Sequence, residues 1–156
     1  MKTCKLLREQ VAAATGSKKA ELVLKNAQIV NVFTQSVETG DIAIEGGYIV
    51  GIGNYEGITE KDLGGAYVCP GFLDGHIHIE SSMTSPGEFE RAVVPHGTIA
   101  VITDPHEIAN VAGTAGIRFM MQSAQKLDLD VYFMLPSCVP ATDLDESGAE
   151  LLARDL

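Results

Sequence analysis

Polar and apolar residues alternate through Leu73-Asp-Gly-His-Ile-His-Ile-Glu80, so that Asp74, His76, His78 and Glu80 fall two residues apart. In a β-strand such residues share a face, which points these four ionisable groups one way and Leu73, Ile77 and Ile79 the other. The apolar side demands a packed layer, and the polar side demands compensation, because an uncompensated polar group costs roughly several kcal/mol in an apolar interior. A divalent metal supplies that compensation. Two neutral imidazoles on alternate strand positions reach one ion at about 2.0–2.2 Å, with neighbouring carboxylates orienting them. His76 and His78 are therefore read as metal ligands; the competing reading is a pair of hydrogen-bonded core histidines or exposed strand histidines.

The chain before this segment reads as a short helix and a β-rich region. Residues 1–19 have amphipathic helical character, and Lys5, Arg8 and Glu9 interrupt the apolar run too early for a secretory segment. Residues 20–69 carry the runs Glu21–Lys25, Ala27–Phe33, Asp41–Glu45 and Tyr48–Ile52. Gly46-Gly47 joins the last two, a hairpin signal because both turn residues need positive φ. A small antiparallel, sandwich-like domain is predicted there.

After Pro70 the rhythm becomes strand, helix, strand, helix, which predicts a parallel sheet. Strands are expected at Gly71–Ile79, Thr98–Thr103 and Asp130–Leu135. Ser85-Pro-Gly-Glu88 and Asp104-Pro-His-Glu107 match in having a capping residue, a proline at the first helical position and a glutamate at the third. Gly113 and Gly116 are expected to divide the second helical region, leaving its longer piece over Ala115–Lys126, and Asp143–Asp155 reads as a third helix.

Composition narrows the function. A chain of 156 residues with 46% hydrophobic residues buries a core, and a net charge of -10 with scattered lysines and arginines disfavours nucleic acid as a partner. No stretch approaches membrane-spanning length. Cys4, Cys69 and Cys138 are widely spaced and lack a C-x-x-C pair, so they read as reduced thiols of a cytoplasmic protein, with Cys69 and Cys138 buried as small apolar groups.

Pro-Gly-Phe-x-Asp-x-His-x-His after a small β-domain resembles the amidohydrolase superfamily. His78-Ile-Glu-Ser-Ser-Met83, Pro95-His-Gly-Thr98 and Asp104-Pro-His-Glu-Ile-Ala-Asn-Val111 are similar to the adenine deaminase family in particular. The resemblance runs from about Glu21 to the end. It implies an α/β fold in which the small antiparallel β-domain is followed, over 70–156, by the first three or so β/α units of an incomplete TIM-type barrel, since a closed eight-stranded barrel takes about 250 residues. It further implies that His76 and His78 bind a divalent metal at the end of the first barrel strand, manganese or iron by preference and zinc as an alternative. The implied activity is that of a metal-dependent hydrolase of C–N bonds in cyclic amidines: adenine, a small-molecule purine base, is hydrolysed to hypoxanthine and ammonia by metal-activated water.

The family pattern takes a bridging carboxylate, two further histidines and a catalytic aspartate from later strands, so inactivity of this chain alone is expected, as is association with a missing carboxyl-terminal part or into a homo-oligomer. Another cyclic-amide or aminohydrolase of the superfamily, or a non-catalytic metal-binding fragment, stands as the alternative. His78-Ile-Glu80 also matches the H-x-E of the zinc nucleobase deaminases, but their P-C-x-x-C is absent, with Cys138 standing alone.

Three further residues are candidates for catalysis. Glu80 continues the ligand face, either as a carboxylate orienting the ligands or as a group that contacts the purine and moves a proton. His106 lies where the second strand meets its helix, the face on which barrel enzymes build their sites. Asp104 lies there too, although a capping box accounts equally well for Asp104 and Glu107. His96 before Gly97 is explained by a helix carboxyl terminus, and Ser81 and Ser82 by turns and caps.

Overall fold

The computed structural model describes residues 4–136 and 138–155, and the chain separates into two compact units after Pro70. The part of the expected amino-terminal helix over residues 1–3 lies outside the described residues. Among the described residues, no helix is long and apolar enough to cross a membrane.

The first unit holds α1 (Cys4–Ala14) and the strands β1 (Ala20–Asn31), β2 (Ser36–Glu45), β3 (Tyr48–Gly53), β4 (Gly57–Asp62) and β5 (Tyr67–Val68). The strand order is β3-β2-β1-β4, with β5 also pairing β1. The two runs expected on either side of Asn26 form one long strand, because Asn26 adopts φ 57° and places a bulge between Leu24 and Ala27. β2 and β3 form the predicted hairpin: Glu45 faces Tyr48 across Gly46 and Gly47, whose φ values of 58° and 77° suit a tight two-residue turn.

The sheet is mixed, which corrects the antiparallel expectation. β4 and β5 run parallel to β1. The β4 sequence Gly-Ile-Thr-Glu-Lys-Asp is almost wholly exposed on a sheet edge, so it carries none of the apolar patterning by which a strand is recognised. Apolar packing gathers in two clusters, one around Ala13, Ala20, Val23 and Ala43, the other around Ala27, Ile29 and Ile42.

Two buried carboxylates fasten this unit. Asp41 accepts hydrogen bonds from the Lys25 ammonium and from the amides of Asn26 (3.1 Å) and Tyr55 (3.3 Å). Glu45 accepts from Lys18 (2.8 Å) and from the Glu21 amide (3.0 Å). Burial pushes the Asp41 carboxyl up, but Lys25 and the two amides together hold it below its ordinary value. Lys18, against a smaller effect of burial, does the same for Glu45.

Both groups are thus depressed in the folded state, so their stabilisation is complete above the ordinary carboxylate range near about pH 4 and is lost as pH falls through the lower folded values. The urea midpoint of this unit, followed by tyrosine fluorescence, is expected to stay level from neutral pH to that range and to drop below it. Asp41→Asn is expected to lower the neutral midpoint and flatten the acid slope. Parallel pH profiles for the two proteins would contradict the assignment.

The second unit contains β6 (Phe72–Ile77), a 3-10 turn (Ile79–Ser82), α2 (Pro86–Val93), a 3-10 turn (Val94–His96), β7 (Thr98–Thr103), α3 (His106–Ser123) and β8 (Asp130–Phe133). The three strands are parallel in the order β6-β7-β8. Ile79, Phe89, Val101, Met120 and Leu129 form the core, and the Glu90 carboxylate fastens the turn before β8 by accepting from the amides of Asp128 and Leu129.

Several expectations change here. β6 ends at Ile77, two residues short of the expected strand, so His78 lies just beyond it in extended backbone and Glu80 lies in the 3-10 turn. Leu73 is 72% exposed while Ile79 is fully buried. Pairing irregularities between Phe72 and Leu73 and between Asp74 and Ile77 interrupt the two-residue alternation that would have put both in one layer. Neither predicted capping box forms: Ser85 precedes α2 without a side-chain cap, Glu88 pairs instead with Arg91, and α3 begins at His106 after Pro105.

α3 breaks at Gly113 (φ 57°, ψ -143°), as its two glycines suggest. The break releases the Asn110 carbonyl, which accepts from the amides of Gly148 (2.8 Å) and Ala149 (3.1 Å). Residues 143–155 accordingly form turns and a bridge between Val139 and Leu151 in place of the expected helix. Cys4, Cys69 and Cys138 are free and exposed, which corrects the buried reading of the last two.

Candidate metal centre

The site forms where β6 and β7 reach their carboxyl ends, held side by side by the Asp104 amide donating to the Ile77 carbonyl at 2.9 Å. In parallel α/β sheets ligands collect at this edge, where the loops leaving the strands lead to the helix amino termini. His76 and His78 turn the same way, with their Nε2 atoms 3.2 Å apart. The Asp104 carboxylate joins them from β7, and one donor atom from each of the three residues lies within 4.8 Å of the others.

The donor set fits a divalent cation on two counts. Two nitrogens about 2.1 Å from a common ion lie roughly 3.0–3.4 Å apart for angles between square and tetrahedral, and the observed 3.2 Å falls in that interval. Asp104 Oδ1, in addition, is buried with no hydrogen-bond partner. A buried carboxylate oxygen without a donor is costly, and a cation held by this carboxylate would offset that cost.

The neighbours of this group are less uniform than the alternation suggests. Asp74 does not join it: Oδ1 accepts from the amide of His76 at 3.1 Å, so the carboxylate is turned onto its own backbone. Glu80 reaches sideways to α3, where Oε1 accepts from the Ile108 amide at 3.3 Å, while Oε2 is buried without a partner. His106 Nδ1 lies 3.8 Å from Asp104 Oδ2, both side chains being largely buried. His96 is exposed in the 3-10 turn after α2.

Glu107 is the member of the site that its sequence pattern concealed. With Pro105 as the residue preceding α3, Glu107 becomes the second helical residue instead of the third, and the reciprocal capping geometry is lost. Its carboxylate accepts from His78 Nδ1 at 2.9 Å and from Ser81 Oγ at 2.7 Å. Burial raises the Glu107 pKa, but the Ser81 hydroxyl, its own amide and His78 outweigh burial and hold it below the ordinary value. Its place one residue after His106, on the first turn facing the strand ends, was the available sequence signal.

The chain thus presents an H-x-H segment at the end of one parallel strand and an aspartate at the end of the next. The amidohydrolase family model matches residues 67–156, and the chain belongs to that family. Among curated proteins it is similar to adenine deaminase 2 of Carboxydothermus hydrogenoformans, 59% identical over 97% of this chain and 27% of that protein. It is likewise similar to the adenine deaminase of Bacillus pumilus, 57% identical over 97% of this chain and 26% of that protein. The chain thus spans about a quarter of the length of these relatives.

Among solved structures, a D-hydantoinase (dihydropyrimidinase) from Thermus sp. superposes with a TM-score of 0.55 and 27% identity, over 72% of this chain and 26% of that one. The N-acyl-D-glutamate deacylase of Bordetella bronchiseptica, solved with zinc and a phosphonate inhibitor, has a TM-score of 0.54 at 17% identity over 76% of this chain and 30% of that one. The latter likeness is one of fold.

Proposed function

We propose that this chain carries the first part of the active centre of an adenine deaminase, which hydrolyses the exocyclic amine of adenine to give hypoxanthine and ammonia. The observation that carries the proposal is the convergence of His76, His78 and Asp104 on one small volume, in a chain so close in sequence to proteins of that activity. His76 and His78 serve as neutral nitrogen ligands and Asp104 as an oxygen ligand. Manganese or iron suits this mixed nitrogen and oxygen set, and the same donors accommodate zinc. A divalent cation bound there supplies a lowered pKa for water and an electrostatic hold on the developing negative charge.

The chain's own residues divide the remaining work. His106, beside Asp104, has the reach to steady that carboxylate and to offer its ring to the base. Glu80 ties the first turn of α3 to the end of β6 through Ile108, which fixes the spacing between the histidines and Asp104. Its second oxygen, buried and unpartnered, is the group available to contact the purine or take a proton. The three exposed free thiols support a reducing, cytoplasmic setting.

Ammonia release from adenine, assayed with manganese or iron, tests the reading on this chain and on a chain continued to the length of its relatives. Release by the longer protein is the expected result. A folded, metal-loaded longer protein that leaves adenine untouched but opens cyclic amides would replace adenine with that substrate class.

A further inference from the structure

We infer that Glu107, held by Ser81, is a positioning residue that sets the tautomer and ring orientation of His78 and so prepares its Nε2 atom to bind the ion; the inference rests on His78 being a ligand. Three short connections carry it. His78 Nδ1 meets Glu107 Oε2 at 2.9 Å, Ser81 Oγ donates to Glu107 Oε1 at 2.7 Å, and the Ser81 amide donates to the His78 carbonyl at 3.2 Å. The loop so closed runs from the end of β6 through the 3-10 turn to the first turn of α3 and back to the imidazole.

An ionised carboxylate only accepts, so the nitrogen facing Glu107 must carry the ring proton. In the neutral ring this leaves Nε2 with its lone pair free, and Nε2 is the atom that lies 3.2 Å from His76 Nε2. The Ser81 hydroxyl occupies the other carboxylate oxygen, so the carboxylate has a donor on each oxygen and little freedom to rotate away from the imidazole. Partners of this kind fix ligand tautomers in metal sites and commonly change affinity by roughly 10–100-fold when removed.

His76 lacks the arrangement. Among the described residues no carboxylate engages its Nδ1, and its ring is linked only to His78. The two ligands are therefore unequal: His78 is oriented by the fold, and His76 can turn to complete the pair. A purely structural role for Glu107, tying α3 to the 3-10 turn, would leave the His78 tautomer indifferent to substitution.

The test combines two readouts on the intact chain. Nitrogen-15 NMR of the metal-free protein reports which His78 nitrogen carries the proton, and electron paramagnetic resonance of free manganese reports affinity. The expected wild-type tautomer is Nδ1–H. Glu107→Ala is expected to shift it toward Nε2–H and weaken manganese binding by roughly 10–100-fold. Glu107→Gln, whose carbonyl can accept the same hydrogen bond, is expected to restore the tautomer and most of the affinity.

Ser81→Ala, at an exposed turn, should shift both readouts in the direction of Glu107→Ala by a smaller amount, and it decides the matter if Glu107→Ala does not fold. An unchanged His78 tautomer in the alanine variants overturns the inference and leaves the metal reading intact. Absence of manganese binding both in the wild-type chain and in a chain continued to the length of its relatives overturns the metal reading, and with it the purpose assigned to Glu107, whatever the tautomer.

Discussion

Replacing His78 with alanine is expected to abolish measurable binding of manganese by this chain, and replacing His76 should do the same. One ring nitrogen from each histidine and one oxygen of the Asp104 carboxylate are the donors that the fold brings within 4.8 Å of one another, so either change leaves two ligands for the ion. The loss should exceed the roughly 10–100-fold effect of an outer partner, because a ligand itself is removed. His78→Ala should not unfold the protein: its side chain is 34% accessible and forms no part of the apolar core. His96→Ala is the control, since His96 is exposed in another turn and should leave binding unaltered. Competition with a chromophoric chelator measures all three, and wild-type affinity in the His76 and His78 variants would remove the metal centre from the account.

The second large effect is on stability. Ile79→Ala should cost about 2–5 kcal/mol, the usual range for truncating a fully buried large aliphatic side chain. Ile79 is wholly inaccessible and packs in the core with Phe89, Val101, Met120 and Leu129. It also sits between His78 and Glu80 in the 3-10 turn that carries Ser81, so a cavity there should loosen the turn and weaken metal binding as well. Leu73→Ala is the informative comparison, because simple strand alternation would place Leu73 and Ile79 in one layer. At 72% exposure Leu73 should cost less than about 0.5 kcal/mol. Urea unfolding of the second unit decides it; equal losses would mean that the alternation runs unbroken from Leu73 to Ile79.

Much of the fold was legible because its signals are local. Gly46-Gly47 specifies a turn that only positive φ allows, and the apolar runs on either side supply the hairpin. The three parallel strands follow from apolar runs of strand length spaced by helical segments. β4 was illegible because an exposed edge strand has no buried face to pattern, and residues 143–155 were misread because their partner is the Asn110 carbonyl, distant in sequence and freed by the Gly113 break. Helical periodicity records which residues are apolar, not which backbone groups elsewhere are left wanting a donor.

The candidate site divides along the same line. By itself the sequence placed His76 and His78 on one side of the chain, since a period of two needs no partner to be read and extended backbone continues through His78 beyond the end of β6. Which carboxylates join them was decided by tertiary structure. Asp74, two residues away, turns onto its own backbone, whereas Asp104 and Glu107 arrive from β7 and α3, nearly thirty residues along the chain. The cause is the register of β6 against β7 and the start of α3 after Pro105, both set by packing around Ile79 and Val101. Side-chain parity is a property of one strand, but a coordination sphere is a property of several elements brought to one edge.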